Sequence, residues 1–448
     1  MEIINRYLSG SIVPIALFVY SVFFLIKLKC KPIKNPIVIL KSLFKKQDSE
    51  GVSPIKAVIF ALAGTLGVGN ILGVASAIAL GGAGAVFWMW VSAFLAMILK
   101  YSEVVLAVLH RRTRNGENHG GAMYYMKDFF ESKKKTFVGI IYTFIFTALC
   151  LVNGFTMGAI IQSNAIAKSF ETTTKMDAVF IGIILAILSV IVFIFNGKKV
   201  FSLCEKLVPL VSILYIAMSL IVIFKSYERV PKVFAEILKD AFTISSISGG
   251  GVGFLISNAL RYGTIRGLFS NEAGCGTSPI AHSTSNTNSS CEQGFLGVIE
   301  VFIDTIIICT ITALVILLNK DISFEFINEP MQMVLMAFSS SLGNISGILL
   351  TISIFLFAFA TIICWGYYGK ECIYFVSKNK SAENIFYFVY IITVFIGAFI
   401  KLDFIWQLGD FAIGMMTLLN LFILGKMSNE VRKETFMYYK NRASIKKP

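Results

Sequence analysis

Eleven stretches of about 20 mostly apolar residues run through this chain, and a helix needs that length to cross the hydrocarbon core of a bilayer. They fall at 11–28, 55–80, 84–109, 137–165, 178–196, 201–224, 240–264, 293–318, 345–371, 384–401 and 404–425. Within hydrocarbon every backbone N–H and C=O must be paired inside the protein, which leaves helix as the form such stretches take. The expected class is therefore an all-α polytopic membrane protein with about 11 transmembrane helices. Composition agrees: 56% of the 448 residues are hydrophobic and 15% charged, with a mean hydropathy of +0.76, against about 25% charged in soluble domains. The first stretch follows no basic segment and no small-residue cleavage pattern, so it reads as a helix of the mature protein rather than a signal peptide.

The positive charge sets the orientation, because Lys and Arg stay on the cytoplasmic side. Segments on the side of the C-terminus (27–53, 110–136, 197–200, 370–380 and 426–448) hold 26 Lys and Arg, and the opposite side holds nine. The C-terminus is expected in the cytoplasm and the N-terminus outside, in a plasma or inner membrane. The net charge of +14 then belongs to loops facing anionic lipid, and no nucleic-acid partner is needed. Eight cysteines without a CxxC pair read as small apolar residues, and three scattered histidines make no metal centre. No phosphate-binding Gly-x-x-x-x-Gly-Lys-Ser/Thr loop occurs, so ATP is not the expected energy source.

Two stretches carry glycine clusters. The second contains Ala63-Gly64-Thr65-Leu66-Gly67-Val68-Gly69-Asn70-Ile71-Leu72-Gly73, and the seventh Ser248-Gly249-Gly250-Gly251-Val252-Gly253. Glycine inside a helix costs about 1 kcal/mol relative to alanine, and unwound backbone at bilayer depth persists only where it is buried or lines a cavity. With the first stretch set aside, ten remain, in two fives of opposite direction, each led by an interrupted helix. That pattern points to the binding site of a secondary transporter. Gly69 and Gly73 alone also fit plain helix packing; the matching second cluster favours the break.

Polar residues at depth are Asn70, Thr65, Gln162, Asn164, Asp304, Thr361 and Asp410; such groups mark function or fix packing between helices. Lys100 and Glu103, three apart near the inner end of their span, read as a snorkelling pair. Arg261, Arg266 and Glu272 are expected at the cytoplasmic end of the seventh span, as an inner gate or anchor.

Several segments together resemble the alanine or glycine:cation symporter family. They are Gly64-Thr65-Leu66-Gly67-Val68-Gly69-Asn70-Ile71, Gly81 through Trp90, Arg266-Gly267-Leu268-Phe269-Ser270-Asn271-Glu272-Ala273-Gly274 with Pro279-Ile280-Ala281-His282, Gln162-Ser163-Asn164, Asp304-Thr305 with Cys309-Thr310, and Thr361 through Gly369. The pattern departs at Lys56, Val68, Ala159, Ala360 and Ile413, where the family would have Gln, Thr, Asn, Ser and Asn.

The resemblance implies a LeuT-like 5+5 inverted repeat in spans 2–11 with one extra N-terminal helix and two discontinuous helices. On that plan, 1–53 hold the extra helix and a basic loop, 54–225 and 226–425 the repeats, and 426–448 a basic tail. It also implies sodium-driven uptake of small neutral amino acids such as alanine or glycine, with proton coupling or another substrate (glutamine, serine) as alternatives. A channel or a transporter-like sensor remains the rival of another class; no cluster of catalytic groups supports an enzyme. In this reading Thr65, Gly69, Asn70, Gln162, Gly250, Gly251 and Trp365 line the amino-acid site, with Trp365 limiting its size. The carbonyls of Ala63 and Leu66 with the Thr361 hydroxyl hold sodium, the coupling ion; no other cofactor is expected.

Overall fold

The computed structural model describes residues 1–43, 51–194, 197–242, 258–319, 329–343 and 345–445. Nearly all of them are helical. The chain begins with α1 (Ile3–Lys27), then two short helices, Lys31–Lys34 and Pro36–Leu43. The second apolar stretch forms α2 (Pro54–Thr65) and α3 (Leu72–Gly81), bent by 62° where they meet. Ser53 caps α2 by accepting from the Lys56 N–H at 3.3 Å, and Pro54 supplies the first helical position. Next come α4 (Gly84–Leu109) and a hairpin of β1 (Arg112–Arg114) and β2 (Glu117–His119). Its turn residues Asn115 and Gly116 both have positive φ, the conformation that Asn-Gly provides for a two-residue hairpin.

Helix α5 (Ala122–Ser132) leads into α6 (Thr136–Thr174), which carries a π-helical turn at Gly154–Ile160. Then follow α7 (Ala178–Ile194), α8 (Gly197–Lys225), α9 (Val230–Ala241), α10 (Asn258–Asn271) and the short α11 (Ser278–Ser283). Helix α12 (Ser290–Leu318) has a second π-helical turn at Phe302–Cys309. The chain closes with α13 (Pro330–Leu342), α14 (Ile345–Ser377), α15 (Lys380–Gly397) and α16 (Asp403–Ile445).

Among the described residues, seven helices are long and apolar enough to span a membrane, or eight with the bent pair α2–α3 taken as one span; α7 is a shorter apolar helix. Most of the eleven expected stretches coincide with these helices and with α15. The seventh falls largely on residues outside the described set, and only its last part lies on α10.

One interruption lies where the sequence places it, between α2 and α3. The glycine cluster 248–253, with Gly250 and Gly251, lies outside the described residues. A second interruption stands further on, at Glu272–Thr277 between α10 and α11, where Glu272, Gly274 and Gly276 take φ of 50°, 84° and 81°. Helix α10 packs on α3 and α4, and α11 packs on α2. The two broken segments thus run antiparallel, the first half of each against the second half of the other.

Candidate substrate and cation site

The break between α2 and α3 is the centre of the site. Helix α2 ends because Leu66 leaves the helical region (φ −75°, ψ 74°) and Gly67 is extended. Gly67 is required by close approach: a Cβ there would stand 2.7 Å from Thr361 Oγ1 and 3.0 Å from Gln162 Oε1. Both side chains bind the exposed backbone of the break. Gln162 Oε1 accepts the Val68 N–H at 3.2 Å, and its Nε2 donates to the Met157 carbonyl within the π-turn of α6. Thr361 Oγ1, on α14, donates to the Ala63 carbonyl at 2.9 Å and is within 3.1 Å of the Phe357 carbonyl. An oxygen-rich corner of this kind suits a hard cation, which takes carbonyl and hydroxyl ligands.

On the other side of the break, Asn70 reaches α10 and α12. Its Nδ2 donates to Ser270 Oγ (2.9 Å), Asp304 Oδ1 (2.7 Å) and the Asp304 carbonyl (3.2 Å), with Cys309 Sγ at 3.5 Å. Asp304 also accepts from Ser270 Oγ at 2.6 Å and Thr305 Oγ1 at 2.7 Å. The π-turn of α12 presents this carboxylate to the break, and its donors Asn70, Ser270 and Thr305 are all neutral. The oxygen of the Asn70 amide is buried without a partner. Phe269 covers Gly69, its ring carbon 3.4 Å from where a Cβ on Gly69 would be.

Of the residues singled out in the sequence, Ala63, Gln162 and Thr361 therefore meet at one side of the break, and Asn70 and Gly69 face α10 at the other. Thr65 is buried in the same turn, but its hydroxyl returns to the Ala61 and Leu62 carbonyls at 3.5 Å. Trp365 is buried and packs on the π-turn of α6: a Cβ at Gly158 would be 2.4 Å from Trp365 Cβ. Asn164 binds none of them; it donates to the Gly397 and Ile400 carbonyls at the end of α15, both at 3.1 Å. Lys56 makes a surface ion pair with Glu205 at 3.0 Å, away from the break.

Two expectations are corrected. Lys100 and Glu103 do not snorkel; both are completely buried. Lys100 Nζ lies 3.2 Å from Glu300 Oε1 and 3.9 Å from Glu103 Oε1. Glu300 also takes Ser278 and His282, and Glu103 accepts the Gly274 and Gly276 N–H groups at 3.2 Å, which holds the second interruption open. The two carboxylates lie on different helices, so helical spacing alone shows only the pair on α4. Arg266 is likewise not at the end bearing the basic C-terminal segments, and Glu272 lies in the second interruption, where it accepts from the Thr277 hydroxyl. Arg266 stacks on Trp406, near the start of α16, whereas His110 binds Glu430 further along it. Those 24 residues of helix are roughly 36 Å long, so Arg266 and the basic hairpin lie at opposite ends.

Ser270, Cys309 and the interruption Glu272–Thr277 were missed as site features. The signal for the interruption was Asn271-Glu272-Ala273-Gly274-Cys275-Gly276, a polar and glycine-rich run that ends a helix.

A bundle of membrane-length helices built around a bent helix whose open backbone faces polar side chains is the arrangement of a multi-pass transporter. The chain belongs to the sodium:alanine symporter family, whose profile matches residues 1–448. It is 33% identical over 439 residues to the sodium/alanine symporter AgcS of Methanococcus maripaludis, covering 96% of this chain and 95% of that one. The amino-acid carrier protein AlsT of Bacillus subtilis is 34% identical, over 89% of this chain and 83% of its own. The probable sodium/glutamine symporter GlnT of the same organism is 30% identical over 100% and 91%. A Na+-coupled sialic acid symporter shares the fold with a TM-score of 0.53 at 12% identity, covering 95% of this chain and 86% of that one. A manganese transporter of Eremococcus coleocola does so with 0.55 at 11% identity, over 85% and 78%. The family is one of transporters, not enzymes.

Proposed function

We propose that this chain carries a small neutral amino acid inward together with sodium by alternating access. The observation that carries the reading is the junction of Thr361 and Gln162 with the backbone of the α2–α3 break. The Ala63 and Leu66 carbonyls and the Thr361 hydroxyl supply oxygens for sodium. The start of α3 offers free N–H groups and a positive dipole end to a carboxylate. Thr65, Gly69, Asn70 and Gln162 border the amino acid, and Trp365 limits its size, favouring alanine or glycine; Gly250 and Gly251, read from the sequence as part of the same site, lie outside the described residues. The likeness to the probable sodium/glutamine symporter GlnT favours glutamine as a second candidate. The antiparallel broken segments support the 5+5 repeat, with 54–225 and 226–425 as its halves. The 26-to-9 distribution of basic residues supports a cytoplasmic C-terminus.

One sodium ion entering at 100 mV supplies about 2.3 kcal/mol, and a tenfold gradient about 1.4 kcal/mol more. The sum of about 3.7 kcal/mol permits accumulation of a zwitterion by several hundredfold. The test is uptake of labelled alanine and glycine into proteoliposomes with an inward sodium gradient present or collapsed. Uptake that vanishes with the gradient supports symport. Uptake that needs a pH gradient and no sodium replaces sodium by the proton as the coupling ion, and no uptake of alanine, glycine, serine or glutamine refutes the reading.

A further inference from the structure

Above the break, at the end of the molecule where α16 begins, lies a cavity of about 700 Å3. Its wall includes Ser76 of α3, Lys168 of α6, Arg266 of α10, Glu329 beside α13, and Asp403 and Trp406 of α16. The guanidinium of Arg266 lies 5.2 Å from the Trp406 ring and 5.9 Å from that of Phe269. Phe269 is the residue that covers Gly69. Arg266, Phe269 and Gly69 thus form a column from the cavity down to the break. The Nε and Nη1 of Arg266 are buried and donate to no group; the carboxylate of Asp410 on α16 lies close enough to feel its charge but takes no hydrogen bond from these two nitrogens.

A guanidinium that stays charged, set against a pair of rings themselves in contact at 5.5 Å and with two donors unpaired, is a receptor for an oxyanion, most of all a carboxylate. Asp403 stands one helical turn before Trp406, on the same face of α16, and places an acidic group on the rim. Lys168 and Lys401 line the wall beside Glu171, Glu329 and Asp403, so groups of both signs surround Arg266, as a zwitterion requires. We infer that Arg266 is a docking point where the carboxylate of an incoming amino acid binds before it passes Phe269 to the break. The inference rests on the amino-acid symport reading and adds a second, outer binding position to it.

The test is sodium-driven alanine uptake by wild-type, Arg266→Gln and Arg266→Lys protein in proteoliposomes, with propionate, which has a carboxylate and no ammonium group, as competitor. The expected result is a KM raised about tenfold or more in Arg266→Gln, with the maximal rate changed far less. Propionate competes in wild type, more weakly in Arg266→Lys, and not in Arg266→Gln. An unchanged KM with unchanged propionate competition in Arg266→Gln overturns the docking site and leaves symport standing. Wild-type protein that takes up no amino acid refutes symport and this inference with it. Should Arg266→Gln not fold, Arg266→Lys decides: the charge stays while the planar donor set is lost, and a KM equal to wild type overturns the inference.

Discussion

Asn70 and Ser270, 200 residues apart in the chain, meet through a 2.9 Å hydrogen bond from the amide of one to the hydroxyl of the other. The contact joins the break of the first interrupted helix to the end of α10, one residue short of Asn271, its last, after which the second interruption begins. A movement of α10 against α3 is thereby felt at the backbone that faces the proposed substrate and cation site. Asp304 ties the pair to α12, which makes this the meeting point of three helices.

Asn70→Ala is expected to abolish alanine uptake while the protein still reaches the membrane. The substitution removes a donor from buried Asp304, and an unsatisfied buried polar group costs about 1–3 kcal/mol. Transport assays beside surface quantitation check it; normal uptake by this variant would show that the break is not where substrate binds.

Thr361→Val removes the hydroxyl that donates to the Ala63 carbonyl and should raise the half-saturating sodium concentration for uptake about tenfold or more, while Thr361→Ser keeps it near wild type. Sodium titrations at fixed alanine separate the two. Equal sodium dependence in both variants rules the hydroxyl out as a ligand.

Gly67→Ala would put a methyl group 2.7 Å from Thr361 Oγ1 and 3.0 Å from Gln162 Oε1, displacing both from the break. Transport should fall at least tenfold, with a loss of stability of about 1–3 kcal/mol, as for overpacking. Thermal melts together with uptake test this, and wild-type behaviour would mean that the break widens freely.

Lys100→Met leaves Glu300 and Glu103 buried beside one another without their cation. Breaking a buried pair in this way costs about 3–5 kcal/mol. Adding Glu300→Gln should recover part of the lost melting temperature, because one of the uncompensated charges is gone. A double variant no more stable than Lys100→Met would show that the pair is not coupled.

His110, just beyond the end of α4, gives a pH dependence with a definite sign. Burial by itself lowers its pKa, but Asp128 at 2.8 Å and Glu430 at 3.0 Å, one on each ring nitrogen, raise it from 6.5 to about 9. Charged His110 therefore stabilises the folded protein fully below about pH 6.5, and this contribution is lost as the pH rises through about 9. Melting temperatures of wild type and His110→Asn should differ at pH 6 and converge by pH 10; a gap that stays constant over this range refutes the assignment.

The class of protein and the first break could be read from the sequence, because both are local. Length and hydropathy decide whether a segment can span a bilayer, and the glycines from Gly64 to Gly73 weaken one helix whatever surrounds it. The same local reasoning places an interruption at 248–253, which lies outside the described residues. The described interruption at Glu272–Thr277 is held by Glu103 from another helix, through the Gly274 and Gly276 N–H groups. Gln162 and Thr361 were legible as polar residues at depth, yet their meeting at Gly67 joins segments 94 and 298 residues from their hydrogen-bond partners. The burial of Lys100 against Glu300 and the stacking of Arg266 on Trp406 are of the same kind. Sequence by itself determined which segments lie in the membrane and where one of them cannot remain helical. Which polar groups face one another was decided only by the packing of the helices, because a side chain's partner across a bundle depends on rotation and depth, and hydrophobic pattern specifies neither.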